Sequence, residues 1–322
     1  MQPEVEAWFA ARSSRASDWP LDRVLAAKAS TTVSVVLPAL DEAATVGGIV
    51  DAIATNLVRL ARPLVDELVV VDSGSTDDTA AIARAAGARV VHLADVLPHV
   101  PVIAGKGEAL WRSLASTSGD VVVFVDADLL SFDVSYITGL LGPLLSDPDV
   151  AFVKAAYDRP LAKGAVVHPS GGGRVTELVA RPLLNVHWRA LAGFVQPLAG
   201  EYAARRSLLE RLPFPTGYGV ELALLVDTEA EVGLDAMAQV DLGHRRHRNH
   251  DDLRLGRMAT EIWHAAAARL GLDTAAVASA ASVTQFERSD NDASGFAPTT
   301  HDVTVLERPP MAYLLDNERL IG

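Results

Sequence analysis

Four short valine-rich runs in the first 130 residues limit the fold more than any other feature of the chain. "TTVSVVL" (31–37), "DELVVVD" (66–72), "ARVVHL" (88–93) and "DVVVFVD" (120–126) are apolar at nearly every position. A strand with one wet face alternates in polarity, whereas a strand covered on both faces does not, so these runs read as strands buried on both sides. Between them lie "EAATVGGIVDAIATNLVRLA", "DDTAAIARAAG" and "GKGEALWRSLASTSG", all apolar at helical spacing, the last two closing on Gly87 and Gly119 as expected caps. Such alternation implies an α/β fold, a mainly parallel sheet with helices on both faces. Ligands then gather beyond the carboxyl ends of the strands, here residues 38–42, 72–77 and 126–128.

The rest of the chain is less regular. An amphipathic opening segment is anchored by Trp8 and Phe9. "VAFVKAAYD" (150–158) and "DAMAQVDLG" (235–243) read as strands, and residues 218–233 and 253–271 as helices. Residues 174–191 read as a helix interrupted near Pro182. From about residue 286 the chain turns polar, with Pro298, Pro309 and Pro310, and an extended tail packing on the body or on a second subunit is expected.

Composition removes several function classes. The 41 acidic and 28 basic residues leave a net charge of −13, which disfavours nucleic acid and anionic membrane surfaces. No run approaches the roughly 18–20 apolar residues of a spanning helix, and the N-terminus lacks a basic region followed by an apolar core. With no cysteine there are no disulfides or thiolate metal sites. The expectation is a soluble cytoplasmic protein.

The strand ends carry the chemistry. "LPALDE" (37–42) lacks the G-x-G-x-x-G of a dinucleotide fold. Pro38 stiffens this turn, and Asp41 or Glu42 is placed either to accept hydrogen bonds from a base or ribose or, for Asp41, to cap the next helix. In "VDSGSTDDT" (71–79), Asp72 sits at a strand end, Gly74 allows a tight turn, and Thr76 or Asp77 suits a cap. "GKGEALW" (105–111) sets Lys106 between glycines at a helix start, either as a diphosphate clamp or as a solvated loop residue. "VFVDADL" (123–129) is the sharpest signal, because Asp126 and Asp128 on an extended backbone share a face and repel unless a cation bridges them. Oxygen-only ligands suit Mg²⁺ or Mn²⁺ with phosphate oxygens completing the shell. Two surface aspartates in a turn are the plain alternative, disfavoured by the five apolar residues before them.

Together "PALDE", "VVVDSGSTDDT", "GKGEAL" and "VFVDADL" resemble, in order, the GT-A nucleotide-sugar glycosyltransferases, whose D-x-D holds a divalent metal against the sugar-nucleotide diphosphate. The second half narrows the resemblance. "GGGRVTELVARPLLN" (171–185), "LAGFVQPLAGEYAARR" (191–206), "PFPTGYGVE" (213–221), "MAQVDLGHRRHRNHDDL" (237–253) and "ERPPM" (307–311) are similar to the glucosyl-3-phosphoglycerate synthases, retaining enzymes that move glucose from UDP-glucose to 3-phosphoglycerate. The chain departs from that family at Asp41, where Asn is expected, and in the His-rich "GHRRHRNH".

The resemblance implies an organisation and a set of roles. An N-terminal helical segment (1–30) precedes a Rossmann-like, GT-A type nucleotide-sugar-binding half (31–160), a helical and mixed acceptor-binding half (161–285) and the extended tail (286–322). Pro38, Ala39, Leu40, Glu42, Ser73, Lys106, Asp126 and Ala127 would meet the UDP-sugar, and Lys106, Asp128 and Glu221 would serve catalysis, Glu221 by holding sugar hydroxyls. Asp128 and His247 would bind the metal. Gly173, Arg174, Val175 and Thr176 would bind the acceptor, with Arg245 and Asn249 facing diphosphate or acceptor. Physical chemistry agrees at one point independently: "GGGRVTE" offers backbone donors entering a helix beside a guanidinium and a hydroxyl, as an anionic acceptor requires. A flexible glycine turn is the alternative there, a dipole-favoured first-turn acid the alternative for Glu221, and a solvated basic loop the alternative for the histidines. No residue reads as a covalent nucleophile, so in the retaining family the leaving phosphate is expected to accept the acceptor's proton. An inverting polyprenyl-phosphate sugar synthase shares the first half but needs a lipid-facing segment, and a nucleotide-sugar-binding regulator would not need the full set of site residues. The expected partners are small molecules and, by homodimerisation, a second copy of the chain.

Overall fold

The valine runs form strands whose side chains alternate between two separate cores. The computed structural model describes residues 2–158, 161–163, 166–168, 173–244, 252–272, 282–289 and 295–315. Its strands are β1 (Ser13–Arg15), β2 (Val33–Ala39), β3 (Glu67–Asp72), β4 (Arg89–His92), β5 (Val121–Phe124), β6 (Phe152–Asp158), β7 (Leu161–Lys163), β8 (Val166–His168), β9 (Tyr202–Arg205), β10 (Phe214–Pro215), β11 (Met237–His244), β12 (Ser282–Arg288), β13 (Phe296–Asp302) and β14 (Glu307–Arg308). Eight of them make one sheet in the order β1-β11-β6-β9-β5-β2-β3-β4. Neighbours run parallel except at β9, which is antiparallel to both β5 and β6.

Val33, Val35 and Leu37 of β2, Val70 of β3 and Val121 and Val123 of β5 enter one core with the helices Val46–Ile53 and Ser135–Ser146. Val36, Val69, Val71, Val122 and Phe124 enter the other, against Lys106–Ser116, Val220–Val232 and Asp252–Arg269. Each valine fully removed from water contributes roughly 1.5–3 kcal/mol, so neither face tolerates a one-residue slip in register.

Several local expectations are corrected. Gly87 does close its helix in the left-handed conformation at φ 113°, but Gly119 caps nothing. The helix Lys106–Ser116 ends at Thr117, and Gly119 instead lies against Ser34, its N–H donating to Ser34 Oγ at 2.9 Å. In the opening helix Pro3–Arg12, Trp8 is the anchor, with its indole N–H on the Met237 carbonyl at 2.8 Å. Phe9 is 38% exposed and anchors nothing. Around Pro182 the chain stays helical by widening into a π turn over Thr176–Ala180 before continuing as Arg181–His187, because proline has no N–H to complete the regular ladder. Within the polar end of the chain, β12 and β13 pair as an exposed antiparallel hairpin and β14 pairs with β10.

Candidate active site

The carboxyl ends of β2, β3 and β5 open into one cavity of about 640 Å³. Pro38 and Ala39 at the end of β2 and Leu40 and Glu42 after it form part of its wall, and Ser73 follows β3. The neighbouring aspartates build the wall without facing the cavity. Asp41, at φ 56°, accepts hydrogen bonds from the Thr76 N–H at 2.7 Å and the Thr76 hydroxyl at 3.2 Å, tying two strand-end loops together. It does not cap the next helix, which begins at Val46. Asp72 is buried, accepts from the Ser75 N–H at 3.3 Å and lies 3.1 Å from His92 Nδ1, so it shapes its own turn.

The two glycines around Lys106 have a packing cause. A Cβ at Gly105 or Gly107 would strike the backbone carbonyls of Thr216 or Pro215, and the Glu108 N–H donates to Thr216 O at 3.3 Å. The helix start is thereby pressed against the β10 segment, and Lys106 turns into the cavity. Its ammonium lies 2.5 Å from Asp126 Oδ1 and 2.7 Å from Glu221 Oε1. Burial alone would lower the Lys106 pKa, but Asp126 and then Glu221 outweigh it and hold the pKa well above the ordinary lysine value.

The D-x-D segment departs from its expected geometry. β5 ends at Phe124, and Ala127 and Asp128 lie in a turn, so the carboxylates do not share the face of an extended strand. The turn nonetheless brings Asp126, Ala127 and Asp128 to the one cavity. The positive group beside Asp126 is Lys106, and Gly200 leaves room for that carboxylate where a Cβ would collide with it. Among the described residues no three His, Cys, Asp or Glu side chains converge as a metal site. The carboxylate oxygens present are hard donors, which fits Mg²⁺ or Mn²⁺ with phosphate oxygens and water completing the shell.

From the second half of the chain Gly173, Arg174, Val175 and Thr176 line the same cavity. Gly173 turns at φ 75°, a left-handed conformation suited to glycine. The Thr176 hydroxyl is buried with no hydrogen-bond partner among the described residues, an acceptor and donor available to a ligand. Arg174 pairs with Asp252, the first residue of the helix Asp252–Arg269. Arg245, His247 and Asn249 lie outside the described residues, as do Gly171 and Gly172. Sequence reasoning missed Tyr218, Arg254, Met258 and Ile262, which also line the cavity, with Arg254 donating to Tyr218 Oη at 3.3 Å. Their signal is the four-residue recurrence of Arg254, Met258 and Ile262, one face of a helix.

A clip braces the cavity wall formed by Val102, Ile103 and Ala104. The Arg112 guanidinium, fully buried, donates to the carbonyls of Leu97 at 3.2 Å, Val100 at 2.7 Å and Pro101 at 3.1 Å. Glu108 holds Arg112 at 2.7 Å and Arg308 at 2.6 Å, and the Trp111 indole N–H donates to Pro309 O at 2.8 Å.

The description of Glycosyl transferase family 2 matches residues 34–170. A glucosyl-3-phosphoglycerate synthase of Mycolicibacterium paratuberculosis is 48% identical over 309 residues, covering 95% of this chain and 92% of its own length. One of Mycobacterium tuberculosis is 50% identical over 296 residues, covering 91% and 89%. The crystal structure of the Mycobacterium tuberculosis synthase in complex with Mn²⁺, uridine diphosphate and phosphoglyceric acid matches with a TM-score of 0.81 at 47% identity, over 92% of this chain and 95% of that one. Its complex with Mg²⁺ and uridine diphosphate matches with a TM-score of 0.82 at 46% identity, over 94% and 99%. With such identity sustained over nearly the whole of both chains, this chain belongs to the glucosyl-3-phosphoglycerate synthase family.

Proposed function

We propose that the protein transfers glucose from UDP-glucose to 3-phosphoglycerate, with retention at the anomeric carbon and dependence on a divalent metal. One observation carries this reading: the motif residues of the first half and those of the second meet at a single cavity. The donor lies along Pro38–Leu40, Glu42, Ser73 and the D-x-D turn. Asp128 and His247 would hold Mg²⁺ or Mn²⁺, which would supply positive charge to the departing UDP. Lys106 exchanges part of its contact with Asp126 for diphosphate oxygens, and Glu221 holds the sugar hydroxyls. Arg174, the backbone from Gly173 to Thr176 and the Thr176 hydroxyl take the acceptor's anionic groups, and the family resemblance assigns Arg245 and Asn249 to diphosphate or acceptor.

Asp126 and Glu221 are both engaged by Lys106, and this supports transfer without a covalent enzyme intermediate. The acceptor hydroxyl then attacks from the face that UDP leaves, giving its proton to the leaving phosphate. The decisive test incubates the protein with UDP-, GDP- and ADP-hexoses, Mg²⁺ and 3-phosphoglycerate, identifies the product by mass and reads its anomer by NMR. An α-linked glucosyl product from UDP-glucose is expected; no product, or an inverted one, would sink the assignment. The same reading includes a donor half and an acceptor half meeting at the cavity, a cytoplasmic location and a homodimer, the last tested by sedimentation velocity.

A further inference from the structure

Beneath the cavity, a buried lysine stands apart from every role so far given. Lys154, in the middle of β6, is 1% exposed, and its ammonium has no hydrogen-bond partner among the described residues. Its register partners are Tyr202 on β9 and Gln239 on β11. The ammonium sits 4.5 Å from the Tyr202 ring centre and 5.8 Å from that of Phe152, an aromatic floor. The Tyr202 hydroxyl is also buried and unpartnered. Above this floor packs the helix Val220–Val232, whose first turn carries Glu221. Of the charges around Lys154, Glu221 acts on it most strongly, ahead of Lys106, Glu201 and Asp126. A buried cation left without hydrogen bonds is costly and persists where a nearby anion or a function needs it.

Among the described residues Glu221 pairs with Lys106, which it shares with Asp126. Any turn of Lys106 toward a diphosphate therefore leaves the buried Glu221 short of positive charge. We infer that Lys154, with the Tyr202 hydroxyl beside it, is a positioning residue for the transfer, balancing Glu221 and holding it against the sugar while Lys106 is engaged by the donor. The inference rests on the donor roles proposed for Lys106 and Glu221. Burial, with the Lys106 charge adding to it against the pull of Glu221, holds the Lys154 pKa down to about 7, so withdrawal of Lys106 strengthens the charge that Lys154 offers.

The test is a double-mutant cycle on the full chain, with kcat and KM for UDP-glucose and UDP binding by calorimetry in Mg²⁺. Lys154→Met is expected to lower kcat about thirtyfold, a size usual for groups sharing one buried network, while UDP affinity changes less than about twofold. In a Glu221→Gln background, the same substitution should cost less than about threefold, because the charge it serves is gone. Tyr202→Phe, which removes one oxygen and endangers the fold least, should show the same suppression on a smaller loss. Equal losses in both backgrounds, or undiminished kcat in Lys154→Met, would overturn the inference. Undiminished kcat in Glu221→Gln alone would overturn the role of Glu221, and the inference with it.

Discussion

The residues proposed to bind the donor and those proposed to bind the acceptor line one cavity but reach it by different means. Donor residues leave the ends of parallel strands whose position is locked by two buried faces. Acceptor residues sit on a left-handed glycine, a π turn and the first turn of a separate helix. The former are fixed by register over the whole sheet, the latter by local pairs such as Arg174 with Asp252. Damage at the D-x-D turn should thus appear as lost chemistry at intact fold, and damage at Arg174 as lost affinity.

Asp128→Asn should give the largest effect, a loss of about a hundred- to a thousandfold in kcat at unchanged melting temperature. Near-normal turnover at saturating Mg²⁺ would break the donor half's claim to the metal. In parallel, His247→Ala should weaken metal dependence more than His244→Ala or His250→Ala, and greater sensitivity at either neighbour would move the ligand.

Lys106→Met comes next. It strands Asp126 and Glu221 beside each other, and breaking a largely buried network of this kind costs about 2–4 kcal/mol. Urea unfolding at neutral pH reads it, and a loss below about 1 kcal/mol would show that the triad is not a structural unit.

Arg174→Ala should raise the KM for 3-phosphoglycerate about ten- to a hundredfold and leave UDP binding nearly unchanged. Weaker UDP binding at unchanged acceptor KM would erase the distinction between the halves at this residue. Glycerate lacking the phosphate should be a poor acceptor and lose less from the mutation if Arg174 holds the phosphate.

The fourth effect is a pH slope. An unfolded lysine keeps its proton to about pH 10.5, whereas folded Lys154 releases it near about 7. Between those values the unfolded chain binds more protons, so the penalty of burying Lys154 is full below the window and relieved across it, by at most about 1.4 kcal/mol per pH unit. The stability difference between Lys154→Met and the parent should therefore shrink from pH 7 to pH 9. A constant difference would mean that Lys154 does not titrate there.

Asp41→Asn should do least. Asn retains an oxygen for Thr76, so kcat/KM should change less than about threefold. A larger loss would place Asp41 against the nucleotide after all.

Much of the donor side was legible because strand burial and turn chemistry are written in adjacent residues. The runs ending at Leu37, Asp72 and Asp126 located the cavity, although the β5 run stops two residues early and the two aspartates come together by a turn. Glycine reasoning was weaker, since Gly105, Gly107 and Gly119 answer to backbone packed against them from distant segments, which no local pattern records. The antiparallel strand β9 was invisible for the same reason: its direction is set by β5 and β6. Arg254 and Met258 were readable as a helical face, but nothing in the sequence says which face meets a cavity. Lys154 within an apolar strand was the one overt anomaly, and sequence alone gives no partner for it.

The Glu108–Arg308 clip joins residues 200 positions apart. During synthesis the sheet and the D-x-D turn are complete long before residue 308 leaves the ribosome. Until then the segment from Leu97 to Ala104 has Arg112 behind it but no Arg308 to seat Glu108. Until β14 pairs with β10, the cavity wall of Val102, Ile103 and Ala104 lacks the brace that Arg308 gives it through Glu108 and the Pro101 carbonyl.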